Sequence, residues 1–164
     1  MEQNISEIIN LAGGASRIVP HAKTHKSSDV LKMQIDSGIK SFKCATLNEA
    51  EMVARAGAEE IVMAYPLMHP MKLDRLDALI SESPGITIRC IVSMEAHLKK
   101  LSDVMVRSGN EIGVYMDLDT GMRQTGVQPG DEANIFYEKI FQYKNINPIG
   151  VHVFDGETLF GRFV

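Results

Sequence analysis

The sequence lacks an excess of positive charge, a long apolar run and more than two cysteines. Its formal net charge is -4 and its pI is about 5.7, so it carries no electrostatic footprint for nucleic acid or an anionic membrane. No apolar stretch approaches the roughly 20 residues that cross a bilayer, and residues 1–16 lack the basic-then-apolar order of a signal peptide. Cys44 and Cys90 have no metal-ligand spacing, which indicates reduced core residues. We therefore predict a cytoplasmic protein without a nucleic-acid or membrane partner.

The sequence also lacks an internal linker, a low-complexity segment and a glycine-rich turn after any predicted strand. The first two absences favour a single domain over residues 1–164. A length of 164 residues is also within the usual range for one domain. The third argues against a doubly wound dinucleotide-binding sheet, although an open sheet stays the alternative architecture.

The sequence does have a regular alternation of short apolar runs and segments with helical period. Several runs are continuously apolar, which is typical of strands covered on both faces of a parallel sheet. The six runs are residues 17–21, 39–45, 61–65, 86–92, 112–118 and 149–154. Two of the helical faces between them are formed by Leu73, Leu76, Leu79 and Ile80, and by Leu98, Leu101, Val104 and Met105.

Helix-end signals support the same organisation. Asn48 with Glu51 predicts a capping box, and Gly38, Gly57 and Gly109 predict left-handed stops before the next strand. Six strands alternating with helices predict an α/β fold, a parallel (β/α) barrel of the TIM type. A complete barrel takes about 250 residues, so we expect about six of its eight strands and an incomplete domain.

The most unusual segment is Pro-His-Ala-Lys-Thr-His-Lys at residues 20–26. A proline indicates a strand end, and ligands of parallel α/β folds bind at the carboxyl ends of strands. In extended geometry His21, Lys23 and His25 would share one face. A lysine forms a Schiff base with a carbonyl ligand only as the neutral amine, which burial and cationic neighbours favour. These residues alone leave open that Lys23 and Lys26 are solvated, and a zinc pair of His21 and His25 would lack a third ligand.

This segment resembles the D-threonine aldolase and D-serine dehydratase family, together with Phe-Lys-Cys-Ala-Thr-Leu-Asn-Glu-Ala-Glu at 42–51. Two later segments match the family in order: Asp-Thr-Gly-Met through Thr-Gly-Val at 119–127, and Gly-Val-His-Val-Phe-Asp-Gly at 150–156. The resemblance therefore covers residues 4–156. It implies a pyridoxal 5′-phosphate-binding barrel of the alanine racemase N-terminal type.

The resemblance also implies the site residues. Lys23 would be the catalytic residue that holds the cofactor as a Schiff base, and His21, Gln124, His152 and Phe154 would contact the cofactor. Gln124 stands where the family has an arginine facing the cofactor ring, and it can still hydrogen-bond without a charge. Phe154 stands where the family has a tyrosine and lacks the hydroxyl.

Three further residues next to these motifs depart from the family pattern. Val19 replaces an arginine before the proline, Arg123 lies one position before the expected arginine, and Glu157 replaces a histidine. The divalent metal of some family members is bound by a C-terminal region absent from this sequence, so we assign no metal ligands.

Several side chains also admit a simpler interpretation. His152 lies inside an apolar run and could be a core histidine. Asp117 and Asp119 could form a metal pair or a polar turn at a strand end. The triplet Asp-Thr-Gly at 119–121 also occurs in aspartic proteases, but a protease would need a second copy and an all-β scaffold.

By this resemblance the protein is a pyridoxal phosphate-dependent lyase, a homodimer that acts on a small D-amino acid. Retro-aldol cleavage of the D-threonine aldolase type is the first expected reaction, and D-serine dehydratase-type elimination or racemisation is the alternative. The alternative from a different class is that the protein is not an active enzyme but an inactive cofactor-binding remnant or a gene fragment. We expect little activity of the isolated chain, because the phosphate site of such barrels is commonly built after strands seven and eight.

Overall fold

The computed structural model describes residues 1–156, and that part of the chain has six α-helices and five β-strands. In chain order they are α1 (Glu2–Ala12), α2 (Ser28–Asp36), β1 (Ser41–Cys44), α3 (Leu47–Ala56), β2 (Glu60–Met63), α4 (Pro70–Glu82), β3 (Thr87–Val92), α5 (Glu95–Ser108), β4 (Ile112–Leu118), α6 (Asp131–Ile140) and β5 (Ile146–Val153). Two short 3-10 turns, Ala15–Arg17 and Ala22–Thr24, lie between α1 and α2.

The five strands form one sheet in the order β1-β2-β3-β4-β5. β1 runs parallel to β2 and β4 runs parallel to β5. Parallel strands in sequential order, each reached through a helix, are the repeating unit of a (β/α) barrel. The predicted parallel α/β fold is confirmed.

The first of the six predicted strands, at 17–21, is wrong. A 3-10 turn takes up Ala15–Arg17, and His21 makes only an isolated parallel bridge to Lys43. Pro20 has no N–H to donate, and its carbonyl accepts a 2.8 Å hydrogen bond from the Lys43 N–H. One contact of this kind does not extend into a ladder, so five strands and one bridge replace the six strands expected.

The chain divides into two compact units, Met1–Tyr65 with Ala78–Arg89, and Pro66–Asp77 with residues 90–156. The core of the first unit includes Phe42, Ala50, Val53, Ile61 and Met63, all fully buried. The core of the second includes Leu98, Leu101, Met105, Ile112 and Val114. The predicted apolar face of α5 is confirmed, and on α4 Leu73, Leu76 and Leu79 are buried whereas Ile80 is half-buried. No helix within residues 1–156 is both long and apolar enough to cross a membrane.

The amino end of α3 is capped by a different pair from the one predicted. The Thr46 hydroxyl accepts a 3.2 Å hydrogen bond from the Glu49 N–H, and the Glu49 carboxylate accepts a 2.7 Å bond from the Ala45 N–H. The capping box predicted at Asn48 and Glu51 is wrong, because the helix begins before Asn48. The three predicted glycine stops are confirmed, with φ values of 94°, 96° and 80° at Gly38, Gly57 and Gly109.

Replacing Thr46 with alanine removes the side-chain cap of α3. We expect the T46A variant to lose about 1 kcal/mol in the free energy of unfolding, measured by urea denaturation. Ser28, an exposed residue in the first turn of α2, is the matched control, and S28A should change stability by less than about 0.5 kcal/mol. Equal effects of the two substitutions would contradict the assigned cap.

Candidate functional site

The lysine segment at 20–26 is a turn and not the end of a strand. The Thr24 N–H donates to the His21 carbonyl at 3.3 Å, and the Lys26 N–H donates to the Ala22 carbonyl at 2.9 Å. Ala22 is fully buried and anchors the turn, whereas Lys23 is exposed. The expectation that alternate side chains of this segment share one face is wrong, because that rule holds only for extended backbone.

Two histidines of this turn have the same tautomer. His21 Nδ1 accepts a 3.3 Å hydrogen bond from the Lys23 N–H, and His25 Nδ1 accepts a 3.1 Å bond from the Ser27 N–H. A neutral imidazole that accepts at Nδ1 carries its hydrogen on Nε2. Both Nε2 atoms are buried and have no hydrogen-bond partner among residues 1–156. The turn therefore contains two buried imidazole Nε2 atoms for which the described residues supply no hydrogen-bond partner.

Burial keeps both rings neutral. Burial, followed by the charge of Lys23, lowers the pKa of His21 to about 4, although Glu49 opposes the shift. Burial also lowers the pKa of His25 below its ordinary value. Both imidazoles thus stay uncharged near neutral pH and offer N–H groups without a positive charge.

The side chains around the two lysines of the turn come from the segment directly after β2 and from α3. Lys23 Nζ lies over the Tyr65 ring, 5.7 Å from its centroid, in a cation–π contact. Lys26 Nζ lies 3.9 Å from Glu49 Oε1, and Glu49 is only 5% exposed. The sequence analysis identified neither Tyr65 nor Glu49. Tyr65 follows a buried strand of the parallel sheet. Its position at the carboxyl end of a strand, where ligands of such folds bind, could have predicted it as a site residue.

The predicted turn after β4 lies in the second unit. The Val127 N–H donates to the Asp117 carbonyl at 2.8 Å, and the Asp119 N–H donates to the Val127 carbonyl at 2.9 Å. The chain therefore returns to the end of its own strand. Gly126 allows this return, because its φ is 111° and an added Cβ would lie 2.4 Å from the Asp119 nitrogen.

Asp119 organises this turn. Its Oδ1 accepts hydrogen bonds from the Arg123 N–H at 2.8 Å and the Gly121 N–H at 3.0 Å, and its Oδ2 accepts one from Gln128 Nε2 at 2.9 Å. These bonds, the one from Arg123 first, hold the pKa of Asp119 below its usual range. Both oxygens of this carboxylate therefore accept hydrogen bonds that stabilise the turn itself.

Asp117 contacts a histidine. Its Oδ1 lies 2.6 Å from His152 Nδ1, and the side chains are 2% and 12% exposed. The two residues are also direct partners in the β4–β5 register. Within the described part of the chain, no hydrogen bond reaches Asp117 Oδ2, which is buried. His152, predicted as a site residue, therefore belongs to a buried carboxylate–imidazole pair.

The remaining predicted site residues are at strand or turn ends. Gln124 and Arg123 are exposed on the turn after β4, and Arg123 has a φ of 54°. Phe154 directly follows β5 and is 49% exposed. Glu157 lies outside the described residues. No group of three or more His, Cys, Asp or Glu residues in 1–156 is arranged to hold a metal ion.

The two cysteines are buried and unpaired with each other. Cys44 and Cys90 are free and buried, as predicted for core residues. Burial raises the pKa of each thiol to about 12, with a smaller contribution from Glu49 at Cys44. A thiol that stays protonated is neither a nucleophile nor a metal ligand.

A parallel α/β sheet with a lysine turn and polar residues after its strands matches a known class of fold. The chain belongs to the family described as alanine racemase, N-terminal domain, which matches residues 1–157. It is similar to the 3-hydroxy-D-aspartate aldolase of Paracoccus denitrificans, with 27% identity over 158 residues, and to the D-threonine aldolase of an Arthrobacter species, with 25% identity over 140 residues.

The chain covers only part of these relatives. The matches take in 95% and 85% of this chain but 40% and 36% of the two aldolases. Among solved structures it is similar to the D-threonine aldolase of Filomicrobium marinum, with a TM-score of 0.89 and 26% identity, over 98% of this chain and 43% of that one. The predicted family is therefore confirmed.

The second unit contains a further buried histidine on α5. His97 is fully buried on α5, and its Nε2 accepts a 3.2 Å hydrogen bond from the Leu67 N–H. Burial lowers its pKa from the ordinary 6.5 to about 4. The unfolded chain then binds a proton that the folded chain does not, so this histidine costs stability as the pH falls from 6.5 to 4.

Replacing His97 with glutamine removes the proton uptake and keeps an acceptor for Leu67. We expect the free energy of unfolding of H97Q to fall less steeply between pH 6.5 and 4, by up to roughly 1.4 kcal/mol per pH unit. Urea denaturation at a series of pH values measures the slope. Ser102, buried on the same helix and bonded to the Lys144 carbonyl, is the control, because S102A should lower stability equally at each pH.

Proposed function

We propose that this chain carries the cofactor-binding lysine of a pyridoxal phosphate-dependent enzyme that cleaves β-hydroxy-D-amino acids. The observation that supports it is the turn at 20–26, where Lys23 stands in the chain between His21 and His25, whose buried Nε2–H donors lack an acceptor among the described residues. Membership of the alanine racemase N-terminal family and similarity to two aldolases of D-amino acids support the same assignment.

The donor set of the first unit fits this cofactor. Pyridoxal 5′-phosphate, when bound, supplies an aldehyde that condenses with amines and an electron-poor ring that stabilises a carbanion at the substrate Cα. Lys23 Nζ is the amine that would hold it. The Nε2–H groups of His21 and His25 are uncharged donors for its anionic oxygens, and the Tyr65 ring restricts where the Lys23 amine can lie.

The same residues account for what this chain can do with a substrate. Once a substrate amino group had taken its place on the cofactor, the Lys23 amine would be free to accept or return a proton. Neutral His21 and His25 can donate hydrogen bonds without competing for that proton, because burial keeps the pKa of each below its ordinary value. Contacts of Gln124, His152 and Phe154 with the cofactor remain predictions.

Borohydride reduction in the presence of pyridoxal 5′-phosphate tests the lysine assignment. We expect one dominant adduct, located on Lys23 by peptide mass mapping, because Lys23 stands in the chain between the two histidines whose Nε2 donors are unpaired among the described residues. The K26N variant is the matched control, since it removes a neighbouring amine at a position of positive φ where asparagine is tolerated. Labelling spread over surface lysines and unchanged in K23A would contradict the assignment.

Product analysis distinguishes the three candidate reactions. With D-threonine or 3-hydroxy-D-aspartate, we expect glycine and an aldehyde in excess over ammonia and over the L-isomer. Turnover by the chain alone should lie below roughly 1 s⁻¹, since losing one positioned catalytic group costs about 10²–10⁴ in rate and Gln124 carries no charge. The K23A variant should lose at least about a hundredfold. Ammonia as the main product would favour the dehydratase alternative.

A further inference from the structure

The carboxyl end of β1 is hydrogen-bonded on both of its edges. On one edge the Lys43 N–H donates to the Pro20 carbonyl at 2.8 Å, at the start of the lysine turn. On the other edge the Cys44 carbonyl accepts a 2.8 Å hydrogen bond from the Ala64 N–H, in the residue before Tyr65. Two neighbouring residues of one strand therefore fix the backbone of the turn and the backbone that carries Tyr65.

The side chains of Lys23 and Tyr65 are in contact at this strand end. Lys23 Nζ lies 5.7 Å from the centroid of the Tyr65 ring. Ala22 is fully buried and anchors the backbone beside Lys23, whereas Lys23 itself is exposed and Tyr65 is half-buried. A lysine ammonium on its flexible four-carbon stem has many rotamers in solvent. The ring therefore gives an otherwise mobile amine one preferred place.

An aromatic ring distinguishes a free lysine amine from a bonded one. The face of the ring attracts a compact positive charge, and a free lysine amine is an ammonium with three hydrogens. A bond from Nζ to an aldehyde carbon removes at least two of these hydrogens and spreads any remaining charge over neighbouring atoms. The Tyr65 ring therefore favours Lys23 as the free amine over Lys23 bonded to a carbonyl ligand.

The other lysine of the turn is held by a different element. Lys26 Nζ lies 3.9 Å from Oε1 of Glu49, which belongs to α3. Tyr65 follows β2 and contacts Lys23. The two amines of the turn thus have separate partners, so a substitution of Tyr65 should act on Lys23 and leave Lys26 in place.

We propose that Tyr65 is a positioning residue whose ring, and not its hydroxyl, holds the Lys23 amine after an incoming amino acid has displaced it. The incoming nitrogen bonds to the carbon that held Lys23, and the bond from that carbon to Nζ breaks. The three hydrogens of the incoming ammonium end on Nζ, so charge and electrons balance. By stabilising the released ammonium, the ring favours the exchange. This role rests on the proposed function, whereas the contact between ring and amine does not.

Carbon-13 NMR of reductively dimethylated protein tests the contact without cofactor. Labelled formaldehyde and a borane reductant convert each lysine amine to a dimethylamine that can still carry a positive charge. We expect nuclear Overhauser contacts between the Lys23 methyl groups and the Tyr65 ring protons, together with an upfield Lys23 signal caused by the ring. The Lys23 signal is the one absent from K23R. A Lys23 signal among those of the other exposed lysines, without such contacts, would overturn the proposal.

Three substitutions separate the ring from the hydroxyl and from general effects. Y65F should keep the upfield Lys23 signal, and Y65L should move it to the position of exposed lysines with the Lys26 signal unchanged. Tyr137, another half-buried tyrosine, contacts Phe141, and Y137L is the matched control that should leave Lys23 unchanged. An upfield signal that persists in Y65L, or disappears in Y65F, contradicts the assignment to the ring.

Titration with amines tests the effect on exchange. The protein is equilibrated with pyridoxal 5′-phosphate and D-alanine, which has no β-hydroxyl to cleave, and the adduct left on Lys23 is trapped with borohydride. Y65L should need at least about twofold more D-alanine than the wild-type chain to displace half of the adduct, which is the smallest effect expected of a cation–π contact at an exposed site. Y65F and Y137L should match the wild-type chain.

Methylamine shows whether the ring acts on Lys23 or on the incoming amino acid. It shares only the amino group with D-alanine, so Y65L should raise its half-displacement concentration by the same factor. An effect with D-alanine alone would mean that Tyr65 contacts the amino acid, and the proposal would be wrong.

The titration also separates this proposal from the proposed function. Absence of a Lys23 adduct from the wild-type chain without added amine would defeat the proposed function and the exchange role that rests on it. A Lys23 adduct that is displaced at equal amine concentrations in the wild-type chain and Y65L would defeat the role of Tyr65 alone.

Discussion

The alternation of side chains along paired parallel strands is the constraint on which the rest of the structure depends. Each strand is hydrogen-bonded along the sheet and must place successive residues on opposite faces. On β4 this places Met116 and Leu118 toward α6 and turns Asp117 the other way. A shift of the register by one residue would bury the carboxylate against the helix and expose the apolar pair. The core and the polar side chains are therefore specified together.

Three buried carboxylates have three different sets of hydrogen-bond partners. Glu49 accepts a backbone N–H next to the cap of α3 and lies near Lys26, and Asp119 accepts three hydrogen bonds from its own turn. Both are used to hold backbone in place. Asp117 has a titratable side chain as its partner and one oxygen without a hydrogen bond in the described part of the chain. A buried carboxylate oxygen without a hydrogen bond is costly, which is a reason to expect that it serves a function.

The alternation of apolar runs and helical periods predicted the order and type of most elements correctly, because burial against a sheet imposes its period on the sequence. It failed at residues 17–21, where an apolar run forms only one bridge. Pro20 and the turn that follows it disfavour a strand there. A short apolar run in the sequence does not show whether a strand or a turn will form. The cap of α3 was misplaced for a related reason, since helix ends depend on single hydrogen bonds that Asn48 and Thr46 can both make.

The sequence by itself determined the parallel α/β class, the glycine stops and the motif around Lys23, because local propensity and periodicity act between neighbouring residues. Only the tertiary structure decided that Lys23 lies over Tyr65, that both imidazoles of its turn have Nε2 donors, and that Asp117 contacts His152. These contacts join the segment after β2 to the lysine turn, and β4 to β5. They depend on register and backbone hydrogen bonds between segments distant in the chain, and a pattern within one segment carries no information about them.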